Sequence, residues 1–274
     1  MRVALIGFGE VGQTLAEDLA GKAELAAWDI AFSVEVPSGV RRAENAPDAV
    51  RDADLIVSAV TADQDLAAAQ SVGPLNGAFF LDLNSCSPSQ KIASAEAIAA
   101  AGGRYVEAAV MSPIGPKRIA SPMLLGGPHA RDFLKAAHRL GFAGATAYSD
   151  TIGQAAATKL CRSVMIKGIE ALLTESMLAA RHYGVEQVVL DSLSDLLPLP
   201  DWNRTAQYMI SRSLEHGTRR AEEMREAART VEEAGVAGLM SRAIAARQDW
   251  AAGHSDALSP DLAAMLDAIN EKPR

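Results

Sequence analysis

A short apolar run, Val3-Ala4-Leu5-Ile6, breaks into Gly7-Phe8-Gly9-Glu10-Val11-Gly12, after which apolar residues return with helical spacing at Leu15, Leu19 and Ala20. Strand, G-x-G-x-x-G turn and helix, in that order, are the opening of a dinucleotide-binding βαβ unit. Gly7 suits the tight turn, Gly9 lets the backbone approach a pyrophosphate, and Gly12 lets the helix lie close on the strand. The helix N-terminus adds free N–H groups and a positive dipole end. A second strand, Glu24 to Ile30, is expected to end with Asp29, 22 residues past Gly7 and near the spacing of about 20 for a ribose-binding acid. A glycine turn without a ligand is the alternative, and the strand, helix and acid in register weigh against it.

The turn residues Gly7, Phe8, Gly9, Glu10, Val11 and Gly12, with Asp29, are therefore candidate cofactor contacts. A carboxylate at Asp29 accepts from an adenosine ribose 2′-hydroxyl and repels a 2′-phosphate. Arg41 and Arg42 follow closely and would pair with such a phosphate, although the doublet reads first as a solvated surface pair. The expected cofactor is NAD or NADP, with NAD preferred.

The chain of 274 residues is long enough for two domains. A hydrophobic content of 49% with 5% aromatics describes an Ala- and Leu-rich soluble protein, and a net charge of −8 argues against nucleic acid as a partner. Met1-Arg2 leads straight into a core strand, and with two cysteines, Cys86 and Cys161, the expectation is a cytoplasmic protein with reduced thiols. No apolar run approaches a membrane span, and no metal site is expected.

Strands and helices alternate through the first half. Leu55–Val60, Ala78–Leu83, Tyr105–Val110, Met123–Leu125 and Thr146–Tyr148 read as strands, and 47–53, 88–101 and 130–140 as helices. This is the α/β pattern of a doubly wound, mostly parallel Rossmann-like sheet. From Ile152 the chain reads as all-α, with helices over 153–183, 186–197, 202–234, 236–252 and 259–270. Breaks fall at Gly184, Pro198-Leu199-Pro200, Gly235 and Gly253. The predicted division is 1–150, a dinucleotide-binding domain, and 151–274, a helical substrate and dimerisation domain.

Ligands of such sheets bind beyond the carboxyl ends of the strands. Val60 and Thr61 end one strand and are candidate cofactor contacts, and Asn84-Ser85-Cys86-Ser87-Pro88 follows another. Ser87 reads as a helix cap with Pro88 in the first turn, whereas Asn84 and Ser85 face the cleft as candidate cofactor and substrate contacts. The helical half opens with Gly153-Gln154-Ala155-Ala156-Ala157-Thr158-Lys159-Leu160-Cys161-Arg162-Ser163. A lone helical lysine is usually a surface charge. Here small residues precede Lys159 at the hand-over between domains, and Ser163 follows one turn along the same face.

These motifs resemble the β-hydroxyacid dehydrogenases, the superfamily of the 3-hydroxyisobutyrate, tartronate semialdehyde and 6-phosphogluconate dehydrogenases, over roughly the first 185 residues. Asp82-Leu83-Asn84-Ser85-Cys86-Ser87-Pro88 is similar to the family's D-x-S-T-x-S-P substrate segment, with Asn84 and Ser85 in place of Ser-Thr. Gly153…Lys159…Ser163 resembles G-x-G-x-x-x-K-x-x-x-N, with Ala155 and Ser163 as departures. The resemblance implies that Lys159 is the catalytic acid/base and that Ser163 orients the substrate. Glu107-Ala108-Ala109-Val110-Met111-Ser112-Pro113 stands where the family shows D-A-P-V-S-G-G, leaving Ser112 as the candidate carboxylate contact.

His216-Gly217-Thr218-Arg219-Arg220-Ala221-Glu222-Glu223-Met224-Arg225-Glu226 resembles the small helical domain of uncharacterised phosphogluconate dehydrogenase relatives. Its own spacing suits exposed pairs, Arg219 with Glu223 and Glu222 with Arg225. The other reading turns His216, Arg219 or Arg220 inward to hold an anionic substrate group. The expected reaction is hydride transfer between nicotinamide and a small hydroxyacid or related carbonyl. A lysine of pKa about 10.4 in water needs burial and a cationic ring to act as its base. An imine reductase and a non-catalytic nicotinamide-binding dimer are the rivals. Long amphipathic stretches at 152–182 and 202–234 predict a homodimer or higher oligomer.

Overall fold

Alternate side chains of each strand go to opposite faces of one sheet, so the first unit has two cores. In β1 (Arg2–Ile6), Val3 and Leu5 join Leu15, Leu19, Val57, Leu81 and Phe133 on one face, while Ala4 and Ile6 join Ile56, Phe80, Ile98 and Tyr105 on the other. Burying each large aliphatic side chain contributes about 1.5–3 kcal/mol. Continuous apolar strands covered on both faces are what a parallel sheet requires.

The computed structural model describes residues 1–32, 34–196 and 201–271. The chain divides into two compact units, Met1–Leu160 and Cys161–Arg274. In the first unit β1 is followed by α1 (Glu10–Leu19), β2 (Glu24–Trp28), β3 (Val40–Arg42), α2 (Ala46–Val50), β4 (Leu55–Ser58), α3 (Asp65–Ser71) and β5 (Phe79–Asp82). Next come α4 (Pro88–Ala100), β6 (Arg104–Val110), α5 (Ile114–Lys117), β7 (Met123–Gly126), α6 (Ala130–Leu140) and β8 (Ala145–Ser149). The strand order is β3-β2-β1-β4-β5-β6-β7-β8, parallel except between β6 and β7. The order reverses beside β1, so the switch point lies where the glycine turn leaves the sheet.

The elements expected from periodicity are present with shifted ends; β3, α3 and α5 come in addition, and the expected strand at Met123 runs antiparallel to β6. Strand β2 stops at Trp28 rather than Ile30, because the Asp29 carboxylate accepts the N–H of Ala31 and turns the chain. Ser87 stands at the N-cap of α4 with Pro88 in the first turn, but its hydroxyl meets Ser89 Oγ and makes no cap bond.

The division falls inside α7 (Gln154–Tyr183). The described elements beyond it are α8 (Glu186–Leu196), α9 (Trp202–Glu233), α10 (Leu239–Ala252) and α11 (Leu262–Asn270), with one short 3₁₀ turn. Asp201 caps α9 through the N–H of Arg204, and Asp261 caps α11 through that of Ala264. Leu173, Met177, Leu190, Trp202, Ile210 and Leu266 are among the residues of this unit's core. The expected break at Pro198-Leu199-Pro200 lies outside the described residues. No helix among the described residues is long and apolar enough to cross a membrane.

Candidate active site

The three glycines of the first turn meet different surroundings. Gly7 has φ +93, and a Cβ there would lie 2.3 Å from the Ala59 carbonyl oxygen. A Cβ on Gly12 would lie 2.2 Å from the carbonyl oxygen of Gly7. Around Gly9 the same construction meets nothing within 4 Å. Two glycines are thus required by the fold, and the third leaves a cradle at the start of α1 that a side chain would fill. The N-cap of α1 is Gly9 itself, with no side-chain cap bond, so the helix start suits a dinucleotide pyrophosphate. Phe8 is buried, Glu10 is exposed and Val11 is half-buried. The half-buried Asp29 accepts the Phe8 N–H at 2.6 Å. The arginine doublet is exposed but engaged: Arg41 pairs with Asp48 at 2.6 Å and Arg42 stacks on Phe32 at 4.4 Å.

Past the ends of β4 and β5 the chain builds a buried polar cluster. Asn84 Oδ1 accepts the N–H of Val60 at 2.7 Å, while Nδ2 donates to Asp65 at 2.7 Å and to Ser58 at 3.0 Å. The Asn84 amide is therefore knit into the protein, and its buried position makes it the tie between the two strand ends. Thr61 is exposed and donates to Asp63. Lys91 Nζ lies 2.6 Å from Asp82 and 3.9 Å from Asp65, with all three side chains excluded from solvent. Tyr105 donates to the second Asp82 oxygen at 2.6 Å.

Burial pushes the Asp82 carboxyl up to about 7, with the Lys91 charge opposing and Asp65 adding to the rise. Asp65, although burial would raise it, is held below the usual carboxylate range, foremost by Lys91. Burial also pushes the Cys86 thiol up, which leaves it unreactive. Asp65, Asp82 and Cys86 bring possible metal-ligand atoms within 4.8 Å of one another. The Lys91 ammonium already supplies the cation of that cluster.

Lys159 is half-buried and donates to Ser85 Oγ at 2.5 Å. The two face a narrow cleft lined also by Asn84, Glu107, Ala108 and Ala156. Behind them Glu107 is fully buried on β6 and accepts the N–H groups of Gly153 at 2.6 Å and Ala156 at 2.5 Å. Burial pushes this carboxyl up, and those two N–H groups pull it back. Ser112 lies in the half-buried loop after β6, its hydroxyl on the carbonyl of Pro113.

In the second unit, Ser163 is buried and accepts from Lys167 Nζ at 3.2 Å. Lys167 pairs with Glu223 at 2.5 Å, and Glu223 also takes Arg219 at 2.5 Å. Burial holds the Lys167 pKa below its usual range. Arg220 is not part of a solvated face: it is buried and bonded to Glu170 of α7. Arg225 pairs with Asp249 of α10 where a Glu222 pair was expected. His216 marks a non-helical step in α9 and contacts Arg212 and Glu215.

Sequence reasoning passed over Glu107, Lys91, Asp65 and Glu170. The available signal was the charge itself, since Glu107 interrupts an apolar strand and such a group must find buried partners.

A Rossmann-type α/β unit followed by an all-helical unit defines the class. Residues 180–251 match the family described as a domain of unknown function, DUF1932. A conserved hypothetical protein from Sinorhizobium meliloti 1021 is 35% identical, covering 98% of this chain and 96% of its own, with a TM-score of 0.78. A conserved protein of unknown function, MTH1747, described as structurally similar to 3-hydroxyacid dehydrogenases, is 29% identical over 92% of this chain and 96% of its own, with a TM-score of 0.70. An uncharacterised 28.5 kDa protein of Methanothermus fervidus is 27% identical over 82% of this chain and 89% of its own.

At 35% identity over nearly its whole length the chain belongs to one family with the Sinorhizobium meliloti protein, and these findings match the β-hydroxyacid dehydrogenase superfamily that its motifs resemble. The fold is shared more widely. Mycobacterium tuberculosis 3-hydroxyisobutyrate dehydrogenase is 19% identical, covering 98% of each chain, with a TM-score of 0.70. A Streptomyces aurantiacus imine reductase is 21% identical, covering 98% of this chain and 99% of its own, with a TM-score of 0.57.

Proposed function

We propose that this chain is an NAD(P)-dependent oxidoreductase acting on a small hydroxyacid or a related alcohol and carbonyl pair. The observation that carries the reading is the Lys159 ammonium aimed at Ser85 Oγ from 2.5 Å, in the unit whose Gly9 leaves an open cradle. Gly7, Gly9 and Gly12 would hold the pyrophosphate and Asp29 the adenosine ribose, which favours NAD. The nicotinamide, when bound, accepts or supplies the hydride. In oxidation neutral Lys159 takes the substrate hydroxyl proton onto Nζ, and in reduction its ammonium returns that proton. Ser85, now the acceptor of Lys159, would orient the substrate oxygen.

The first unit in this reading carries the cofactor, and the second serves substrate binding and dimerisation. Met165, Ile166 and Leu172 are 65%, 40% and 61% exposed on α7, which supports a second copy of the chain covering them. Light scattering at micromolar concentration tests the dimer, and a monomer with full activity rules it out.

The activity is tested by a panel of small hydroxyacids, their carbonyls and cyclic imines with NAD and NADP, followed at the absorbance of the reduced nicotinamide. Turnover of a hydroxyacid or its carbonyl is expected. Turnover confined to imines would make the chain an imine reductase. Cofactor binding with no turnover across the panel would favour the non-catalytic dimer.

A further inference from the structure

Glu107 sits in β6 between Val106 and Ala108, with no solvent exposure. A carboxylate there is costly unless its oxygens find donors. They find the start of α7: Oε2 accepts the N–H of Gly153 and Oε1 that of Ala156. Gly126 of β7 is the register partner of Glu107, and a Cβ at Gly126 would lie 2.7 Å from Oε2. The neighbouring strand is thus bare where the carboxylate turns toward the helix. Three residues past Ala156, the same helix bears Lys159.

We propose that Glu107 is a positioning residue: its carboxylate, clamped on the first N–H groups of α7, sets the aim of Lys159 Nζ at Ser85 Oγ. The inference rests on the reading of Lys159 as the acid/base. Charge-assisted bonds to a helix N-terminus are the stronger kind, and an anion there also offsets the helix dipole. Glu107 has a second effect that a plain cap would lack. It lines the same cleft as Lys159, where a carboxylate, when ionised, favours the protonated lysine. The titratable groups of that cleft are Cys86 after β5, Lys91 of α4, Glu107 of β6 and Lys159 of α7. Lys91 pairs with Asp82, and its charge also favours the ionised Glu107 carboxylate.

Two variants separate position from charge. Glu107→Gln keeps the shape, loses the charge and keeps one acceptor oxygen for two donors. Gly126→Ala keeps the charge and displaces the carboxylate. Acetic anhydride labelling of Lys159 across pH, read by peptide mass spectrometry on the full chain, needs no substrate. In Glu107→Gln the labelling midpoint should fall by about one pH unit as the stabilising anion is lost. In both variants amide hydrogen exchange over 154–160 should speed up about tenfold, the equivalent of one net hydrogen bond.

A wild-type midpoint in Glu107→Gln overturns the proposal, as does wild-type exchange in both variants. If Glu107→Gln does not fold, Gly126→Ala decides. Faster labelling of Lys159 at fixed pH, as its bond to Ser85 weakens, supports the proposal, and unchanged labelling overturns it. Lys159→Met in the substrate panel keeps the two readings apart. Retained turnover sinks the acid/base role, whereas loss of turnover beside wild-type labelling in Glu107→Gln sinks the positioning role alone.

Discussion

The backbone N–H of Phe8, inside the glycine turn, donates to Asp29 Oδ2 at 2.6 Å, and Asp29 Oδ1 takes the N–H of Ala31 at 2.7 Å. One carboxylate past the end of β2 therefore holds the turn that leaves β1. Each oxygen retains a lone pair, so the same group can shape the turn and accept from a ribose hydroxyl.

That double role sets a prediction for Asp29→Asn. Wild type should bind NADH more tightly than NADPH, and removal of the charge should narrow the difference, since repulsion of the 2′-phosphate goes with it. Titration of both cofactors by fluorescence checks this. A wild type that prefers NADPH would leave Asp29 with the structural role alone.

The glycines should separate by phenotype. A Cβ at Gly9 meets nothing within 4 Å in the free protein, so the melting curve of Gly9→Val should match wild type while dinucleotide affinity falls about 10- to 100-fold with the loss of one charge-assisted contact. Gly7→Ala and Gly12→Ala would press a Cβ into backbone oxygens and should lower stability instead. Undiminished cofactor affinity in Gly9→Val would refute the cradle.

Lys159→Met should keep the fold and cofactor affinity yet lose about 10²- to 10⁴-fold in turnover. Lys159→Arg should do little better, because a guanidinium does not deprotonate near neutral pH. Oxidation should slow on the acid side as the amine is protonated. Lys167 is the comparison within α7. It pairs with Glu223 in the second unit, so Lys167→Met should register in stability. A result in which Lys167→Met abolishes turnover and Lys159→Met spares it puts the acid/base on the other lysine.

Asp82 yields a pH prediction. A carboxyl with a folded pKa of about 7, against about 3.9 unfolded, binds its proton more tightly when folded. Its contribution to stability is present at low pH and is lost as pH rises from about 4 to about 7. Lys91→Met removes the opposing cation, so the fall should deepen and continue above neutrality. Urea midpoints at pH 5, 6, 7 and 8 measure it, and parallel profiles for variant and wild type would contradict it.

Arg220→Met leaves Glu170 buried without its cation, which should cost about 3–5 kcal/mol. The double variant Arg220→Met, Glu170→Met should recover most of that, because an apolar pair of similar volume carries no desolvation cost. Denaturant unfolding compares them. Equal losses in the single and double variants would show that the pair is not the source.

Local pattern was enough to reveal the Rossmann order, the helical second half and the segments around Gly7, Asn84 and Lys159. Strand alternation, glycine turns and helical periods are short-range properties, and the residues of each motif stand within a few positions of one another. Tertiary structure decided what the buried charges do. Glu107 lies 46 residues from Gly153, and Arg220 lies 50 from Glu170, so no local spacing could announce either bond. The sequence shows that a charge stands in an apolar run and must be neutralised. Which donor neutralises it depends on which strands and helices the fold sets side by side. The same holds for Asn84, whose amide meets Val60, Ser58 and Asp65, and for Arg220, whose guanidinium meets Glu170. In the folded units the buried N–H, carboxylate and hydroxyl groups around them had to be satisfied first.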